Sequence, residues 1–390
     1  MRYGDIDVHD PATQIPDGTK PLFDYWMRDP QVCVAPDGWY YLTGTTLSPQ
    51  NSNPNQTHSP QLWNDGLRLW RSKDLVAWEP LGLVWSLDRD ATWQRWFQII
   101  EGDRVRFVAP EEFQPAAFAP GTFVLRSLWA PEIHYVPRLR TFVVIASMNY
   151  SVLGNYDIKT SPYVKGGIFI LKSNTGRAEG PYEPTSPGPL CDLIDGNLWQ
   201  DDDAIWLLGL NDHLMQLTPD LGAVAGDYPR RRAVVSPDPK DIVEYVSLWD
   251  IPKLPQRRYD PELWAEGGYL FRHDGRYHLC FSTAARLPRD GSAPSYGPPD
   301  LSMESGPYNV IVASADRIEG PYGERYTAIV HGGHGNFFAD RTGRWWACAF
   351  NPPHGDTSRW CDLPACRPVL VPMRWENGRI KPDHEKAAQK

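Results

Sequence analysis

The sequence predicts an all-β fold, and more narrowly a five-bladed β-propeller. Five segments repeat one pattern of polar head, apolar strand, polar turn and aromatic-rich strand. The chain also holds 38 Pro and 32 Gly in 390 residues, mostly between strand-like runs, which favours many short strands over long helices. The heads, which we call the head residues, are spaced by 100, 66, 71 and 68 positions; they are Asp29, Trp129, Asp195, Glu266 and His334. Such recurrence is typical of radial repetition around one axis.

Each repeated segment is predicted to be a β-hairpin, because turn-forming residues separate its two strand-like runs. The five turns are Pro36-Asp37-Gly38, Arg138-Leu139-Arg140, Asp201-Asp202-Asp203, His273-Asp274-Gly275 and Arg341-Thr342-Gly343.

A second kind of segment predicts the outer strands of each blade. It places a strand, a Ser or Thr, and a short polar turn in succession, and it begins at Leu67, Ile168, His213 and Asn309. A blade is therefore an inner hairpin followed by an outer one. The strand-like tail, 367–380, is predicted to complete a blade and so to remove an exposed sheet edge.

The predicted domain organisation is an N-terminal arm, 1–24, followed by one propeller domain, 25–390. Three stretches do not fit the repeat and are predicted to be insertions, near 86–126, 224–258 and 285–308. Loops of this kind commonly carry binding and catalytic residues, so we expect them to shape the pocket.

Charge and composition exclude several classes of function. The net charge is −9 and no run of Lys or Arg is present, so nucleic acid is not an expected partner. No run of 18 apolar residues is present, so no membrane span is predicted. No CxxC pair is present, so no metal site is predicted from cysteines.

The first ten residues lack the pattern of a signal peptide. Two expectations for localisation stay open, the cytoplasm or export with the leader removed.

Three of the five head residues are carboxylates, which points to sugar chemistry. In a propeller, equivalent residues of successive blades converge on the central axis, so Asp29, Asp195 and Glu266 are expected to share a pocket. Hydrolysis of a glycosidic bond requires two carboxyl groups, one to protonate the leaving oxygen and one to activate water or attack directly. These three residues are therefore the candidate catalytic groups.

The residues around the heads resemble the motifs of glycoside hydrolase family 43, in the same order and over roughly residues 25 to 380. The matching segments are Arg28-Asp29-Pro30, Trp129-Ala130-Pro131-Glu132, Ile194-Asp195, Glu266-Gly267 and His334-Gly335-Asn336. The resemblance implies a five-bladed propeller. Two positions depart from the family pattern, because Gly196 and Gly268 stand where Pro is usual.

The resemblance also implies roles for the head residues. Asp29 would be the general base, Glu266 the general acid and Asp195 the third carboxylate that keeps a proton on Glu266 by disfavouring a second anion. His334 is a candidate substrate-binding residue, which would lie beneath the site and hold a water or a calcium ion, with no cofactor required. Trp129 is a candidate for stacking on sugar, and Arg286 is a candidate for binding substrate hydroxyls or for a salt bridge.

The implied function is an exo-acting, inverting glycosidase that removes a terminal arabinofuranosyl, xylosyl or galactosyl group from an oligosaccharide or polysaccharide. Two alternatives stay open. The segment 25–30, Tyr-Trp-Met-Arg-Asp-Pro, is also similar to that of fructan hydrolases, which are retaining. The second alternative is a propeller that binds glycans without catalysis.

Several candidate residues also have other interpretations, and Glu266 is favoured over its rival because the strand after 268 aligns it with the other heads. Glu262 competes with Glu266 for the role of acid, and Glu132 is as readily structural as functional. The run 201–203 is interpreted as a solvated turn rather than a metal cluster, because it lies in a hairpin turn remote from the heads.

Overall fold

The structure is a computed structural model. It describes residues 10–47, 63–101, 104–114, 123–148, 167–191, 193–201, 203–210, 213–226, 231–232, 266–288, 303–323, 325–350 and 366–387. The chain forms two compact units. Unit I comprises Met1–Pro30, Asn197–Leu217 and Val224–Lys390, and unit II comprises Gln31–Gly196 and Thr218–Ala223. The predicted division into an arm and one propeller domain stays a prediction.

Unit II contains two four-stranded antiparallel sheets. The first has the order β1-β2-β3-β4, with β1 Met27–Val34, β2 Tyr40–Thr46, β3 Gly66–Ser72 and β4 Glu79–Ser86, and its first strand begins in unit I. A separate three-stranded sheet follows, with β5 Phe97–Glu101, β6 Arg104–Val108 and β7 Phe123–Leu125. The second four-stranded sheet pairs β8 Leu128–Val136, β9 Thr141–Met148, β10 Gly167–Ser173 and β11 Tyr182–Pro184 in sequence order.

Unit I contains three four-stranded antiparallel sheets, each with its strands in sequence order. They are formed by β12 Asn197–Gln200, β13 Ile205–Gly209, β14 His213–Gln216 and β15 Arg231–Arg232; by β16 Glu266–His273, β17 Arg276–Pro288, β18 Met303–Ala315 and β19 Tyr326–Ile329; and by β20 Phe337–Ala339, β21 Trp345–Ala349, β22 Val369–Glu376 and β23 Arg379–Pro382. One short α-helix, α1 His384–Ala387, follows, and 3-10 turns occur at Pro11–Thr13, Trp93–Arg95 and Pro110–Glu112.

Five four-stranded sheets match the five predicted blades, and all five predicted turns connect the first two strands of a sheet. The tail prediction is also confirmed, since β22 and β23 are the third and fourth strands of the fifth sheet. Part of the predicted insertion 86–126 forms the three-stranded sheet. Of the insertion 285–308, the described part continues β17 and β18 as a long hairpin in which Arg286 pairs with Ser305. Most of the insertion 224–258 lies outside the described residues.

The strand sequences explain which strands are central. In β9 every residue is buried, because its apolar run Phe142–Ala146 is covered on both faces, as in an interior strand. The edge strand β4 is exposed at Glu79 and Pro80. Separate apolar clusters lie in each unit, around Trp85 and Phe169 in unit II and around Phe281 and Tyr322 in unit I.

Part of the predicted arm packs on unit I. The N–H of Val330 donates to the carbonyl of Thr13 at 2.8 Å, and the N–H of Leu22 donates to that of Pro368 at 2.9 Å. Ile15 joins the apolar cluster of the fourth and fifth sheets. No helix in the described part of the chain combines the length and apolar character needed to span a membrane.

Candidate active site

The head residues stand where the first strand of each sheet begins. Asp29 and Trp129 are early residues of β1 and β8, Glu266 is the first residue of β16, and Asp195 and His334 lie just ahead of β12 and β20. The hairpin pattern therefore placed these five positions at equivalent points of five sheets.

A left-handed backbone conformation recurs at these heads. The φ angle is 52° at Asp29, 42° at Ala130 and 56° at Asp195, and Gly267 follows with 66°. For residues other than glycine this conformation is unfavourable by roughly 1–2 kcal/mol, so it persists where the surroundings enforce it, often at functional sites. Register shifts occur beside two of these positions, between Trp129 and Glu132 and between Glu266 and Tyr269. Such bulges redirect side chains out of the regular strand alternation.

Asp29 contacts His334 within unit I. Oδ1 of Asp29 lies 3.4 Å from Nδ1 of His334, and the two side chains are 13% and 9% exposed. A nearly buried imidazole thus fixes the carboxylate that the sequence predicts to be the base. The residue type at 334 is suited to this task, because an imidazole nitrogen is able to donate to a carboxylate oxygen.

The segment that carries Glu266 packs on the same imidazole. A Cβ atom built on Gly267 would lie 2.7 Å from Cγ and Cδ2 of His334, closer than any side chain tolerates. Together with its positive φ, this contact explains why glycine follows Glu266. Unit I therefore brings together Asp29, His334 and the Glu266–Gly267 segment.

Glu266 is half-buried and is held by a residue that sequence reasoning missed. The hydroxyl of Tyr308 donates to Oε1 of Glu266 at 2.7 Å. The strand register accounts for the contact, since Glu266 pairs with Ser282 in β17, and Tyr308 lies two residues before Val310, the partner of Ser282 in β18. No local sequence signal marks Tyr308, because the contact depends on two strand registers and a bulge.

The two residues before Asp29, at the start of β1, are held by contacts with the C-terminal part of the chain. The guanidinium of Arg28 is buried and lies 5.1 Å from the ring centroid of Phe350, a cation–π distance. The N–H of Met27 donates to the carbonyl of Cys366 at 3.3 Å. These contacts restrain the backbone on which Asp29 adopts its positive φ.

Unit II carries two other predicted site residues, Asp195 and Trp129. Asp195 is 6% exposed. A Cβ on the following residue, Gly196, would lie 2.7 Å from Cδ1 of Ile145, which explains the glycine in place of the family's Pro. Trp129 is half-buried, and the next N–H, that of Ala130, donates to Oγ1 of Thr45 at 2.8 Å. The roles predicted for Asp195 and Trp129 stay predictions.

The remaining candidates divide into structural residues and residues that the structure does not describe. Oε2 of Glu132 lies 2.8 Å from Nε2 of His134, which supports its structural interpretation. The side chain of Arg286 and the whole of Glu262 lie outside the described residues. The choice between Glu262 and Glu266 as acid therefore rests on the contacts of Glu266.

The prediction that residues 201–203 form a solvated turn is correct only in part. These residues form a hairpin turn, and Asp203 is exposed. Asp201, however, is half-buried and accepts hydrogen bonds from Nε1 of Trp199 at 2.8 Å and from the hydroxyl of Tyr277 at 3.1 Å. Burial, followed by the charge of Asp201, raises the pKa of Tyr277. Asp201 is thus a half-buried acceptor for two aromatic side chains rather than a fully solvated carboxylate.

The sequence-based expectation places a water or a calcium ion near His334. Calcium takes six to eight oxygen ligands. In the described part of the chain no three His, Cys, Asp or Glu side chains are grouped to hold a metal ion, and Asp29 is the carboxylate in contact with His334. The calcium expectation stays untested, and no step below uses a metal.

Comparison with known proteins extends the structural result. The family model described as Glycosyl hydrolases family 43 matches residues 18–380. The curated protein Beta-D-galactofuranosidase xynD of Aspergillus niger is 26% identical over 218 residues, which are 53% of this chain and 49% of that protein. The match therefore spans about half the length of this curated relative.

Solved structures show the same fold at low identity. A thermostable family-43 glycoside hydrolase is 17% identical with a TM-score of 0.56, and the match covers 94% of this chain and 95% of that one. A bifunctional GH43-CE protein of Bacteroides eggerthii is 19% identical with a TM-score of 0.55, covering 95% of this chain and 35% of that one. With the five four-stranded sheets, these matches confirm the predicted all-β, five-bladed β-propeller class.

Proposed function

This chain belongs to glycosyl hydrolase family 43, and from that premise we propose that it hydrolyses the glycosidic bond of a terminal sugar with inversion at the anomeric carbon. The observation that carries the proposal is the arrangement in unit I, where Asp29 and the Glu266–Gly267 segment both contact His334. The carboxylate of Asp29, in contact with His334, and that of Glu266, which accepts from Tyr308, supply the base and the acid that this reaction needs.

In the proposed reaction, Glu266 donates its proton to the glycosidic oxygen as the bond from that oxygen to the anomeric carbon breaks. A water molecule attacks the anomeric carbon from the opposite face and gives its proton to Asp29. The products are the free alcohol of the leaving group and a sugar hemiacetal of inverted configuration. Proton exchange with solvent returns Glu266 to its acid form and Asp29 to its carboxylate. Inverting enzymes hold their two carboxyl groups ~6.5–9.5 Å apart to admit the water.

The other predicted site residues enter as proposals. Asp195 would disfavour a second anion near Glu266 and so favour its protonated form. Trp129 would stack on a sugar ring, since aromatic faces suit the apolar face of a sugar. Arg286 would donate to substrate hydroxyls. His334 holds Asp29 by its imidazole, and calcium is not part of the proposal.

We propose a neutral terminal furanosyl or pyranosyl group as the substrate. Arabinofuranosides, xylosides and galactosides follow from the motifs, and the name of the curated relative supports adding β-D-galactofuranosides. The ligand is an oligosaccharide or a polysaccharide-derived glycan.

A panel of 4-nitrophenyl glycosides tests the proposal. It includes an α-L-arabinofuranoside, a β-D-xyloside, a β-D-galactopyranoside and a β-D-galactofuranoside, assayed with wild type, Asp29→Asn and Glu266→Gln. We expect release from one glycone and a loss of at least about 100-fold in Asp29→Asn. NMR of the first-formed anomer should show inversion.

Each alternative function has a distinct outcome in this experiment. Retention of configuration would replace the proposed mechanism with that of a retaining glycosidase. If wild type released nothing from the panel or from natural oligosaccharides yet bound them, the chain would be a glycan-binding propeller. Full activity in Asp29→Asn would remove Asp29 from the proposed site.

A further inference from the structure

Tyr308 connects the two halves of the arrangement in unit I. Its side chain is 2% exposed, and its hydroxyl donates to Oε1 of Glu266 at 2.7 Å. Its main-chain carbonyl accepts a hydrogen bond from the N–H of Gly333 at 2.9 Å. One residue thus holds the carboxylate of Glu266 by its side chain and the peptide preceding His334 by its backbone.

The surroundings of Tyr308 fix the position of its hydroxyl. The carboxamide oxygen of the next residue, Asn309, accepts from the N–H of His331 at 2.9 Å. The hydroxyl of Ser282 donates to the carbonyl of Gly333 at 3.0 Å. The ring of Tyr308 packs 6.3 Å from that of Phe350. The hydroxyl is therefore presented by a ring and a backbone that are both restrained.

This hydrogen bond bears on how Glu266 is able to act as an acid. A carboxylic acid carries its proton on one of two oxygens, and an oxygen that accepts a bond from an O–H donor is the poorer site for that proton. With Oε1 accepting from Tyr308, the proton belongs on Oε2. Because proton transfer requires the donor oxygen within hydrogen-bond reach of the leaving oxygen, fixing the carboxyl orientation matters for rate.

We propose that Tyr308 is a positioning residue for general-acid catalysis, which directs the proton of Glu266 to Oε2 and holds the carboxyl plane. The inference rests on the proposed function, because it gives Glu266 the role of acid. Tyr308 itself transfers no proton to the substrate. Its effect is therefore specific to substrates whose leaving group needs protonation.

Leaving-group dependence separates this role from a structural one. Nitrophenolate departs without much help from an acid, whereas an alkoxide does not. For Tyr308→Phe we expect kcat to fall about 10-fold or more on a methyl glycoside or disaccharide, and less than about 3-fold on the 4-nitrophenyl glycoside of the same sugar. KM should change little, since the ring and the backbone bond to Gly333 stay in place.

A double-mutant cycle completes the test. If Tyr308 acts through Glu266, Tyr308→Phe alone should have a lower kcat on the methyl glycoside than wild type. The double variant should have the same kcat as Glu266→Gln. Tyr322→Phe is the matched control, because it removes the hydrogen bond from another buried tyrosine hydroxyl of the same unit, which donates to the carbonyl of Ile318. Its effect should be equal for the two leaving groups. Thermal unfolding of each variant checks that the fold is retained.

The outcomes separate this inference from the proposed function. Suppose that wild type hydrolyses both substrates and that Glu266→Gln loses kcat chiefly on the methyl glycoside. If Tyr308→Phe then loses equal activity on both leaving groups, or lowers the activity of Glu266→Gln further, the positioning role is wrong. An unchanged kcat in Tyr308→Phe also overturns it. If wild type hydrolyses no glycoside, the proposed function has failed. A larger loss in Tyr308→Phe than in Glu266→Gln would assign the acid role to the tyrosine instead.

Discussion

Nδ1 of His334 lies 3.4 Å from Oδ1 of Asp29, and the same imidazole packs against the backbone of Gly267, directly after Glu266. The imidazole is 9% exposed and so has few alternative positions. Because it touches both carboxylate-bearing segments, we expect His334 to maintain their separation within unit I.

We expect His334→Ala to lower kcat about 10- to 100-fold, because a displacement of about 1 Å at reacting groups has an effect of that size. The change in KM should be smaller, since the variant leaves the other predicted substrate-binding residues, Trp129 and Arg286, in place. Steady-state kinetics on the best glycoside of the panel measures both constants. His273→Ala is the control, a histidine of the same unit that stacks on Trp375 in a hairpin turn. It should keep its activity, and equal losses in both variants would contradict the role of His334.

Gly267→Ala tests the contact with His334 from the other side. The new methyl group would meet Cγ and Cδ2 of His334 at 2.7 Å, and the residue would keep a φ of 66°. Gly275→Ala is the matched control, because Gly275 has a φ of 77° in an exposed turn with nothing within 4 Å of its Cβ position. The control isolates the backbone strain, roughly 1–2 kcal/mol.

The free energy of unfolding should fall by about 1–3 kcal/mol more in Gly267→Ala than in Gly275→Ala, because overpacking adds to the strain. Activity should fall in Gly267→Ala alone. Urea unfolding and kcat are the measurements. Equal stability losses would mean that His334 moves aside without resistance, and the proposed separation of Asp29 and Glu266 would then not depend on it.

The sequence predicted the sheets well because the signals for them are local. A turn such as His273-Asp274-Gly275 and the apolar runs on each side of it lie within about twenty residues, so each hairpin is encoded in one segment. The recurrence of five such segments then predicted the number of sheets. The head residues followed from their fixed place in each segment.

The contacts made by the heads were predictable only in part. The pair Glu266 and Tyr308 is set by two strand registers and a bulge, and no local pattern encodes these. Asp201 looked solvated because acidic residues in turns usually are, yet its partners Trp199 and Tyr277 are two and 76 residues away. Side-chain pairing of this kind is predictable only when the register of the paired strands is known.

Acid should destabilise unit I through His278. Burial lowers the pKa of this histidine to about 4, and the positive charge of Arg276 acts in the same direction. The unfolded chain binds a proton at this residue near its ordinary pKa of about 6.5. Between those two values the unfolded state binds more protons, so the free energy of unfolding falls as the pH is lowered from 6.5 to 4.

His278→Asn checks this dependence, since the amide is able to replace the hydrogen bond between Nδ1 and the hydroxyl of Ser314. The variant should be less stable at pH 7, because stacking on Phe271 is lost. Its urea midpoint should depend less on pH between 6.5 and 4 than that of wild type. Parallel curves for the two proteins would show that His278 does not contribute the slope.

The last prediction concerns Asn64 in unit II, which is fully buried. Its Oδ1 accepts from the N–H of Leu128 at 3.0 Å, and its Nδ2 donates to the carbonyl of Leu128 at 2.8 Å. Leu128 begins β8 directly before Trp129, so this pair of bonds fixes the start of the strand that carries the predicted stacking residue.

Asn64→Asp keeps the acceptor but replaces the donor with a second oxygen, which then faces the carbonyl of Leu128. A buried carbonyl without its donor, beside a buried carboxylate, is unfavourable, so the free energy of unfolding should fall by about 2–3 kcal/mol. Asn377→Asp, in an exposed turn, should change it by less than about 0.5 kcal/mol. Urea unfolding at pH 7 measures both. A shift in Asn64→Asp no larger than in the control would mean that the bond from Nδ2 of Asn64 to the carbonyl of Leu128 does not stabilise the start of β8.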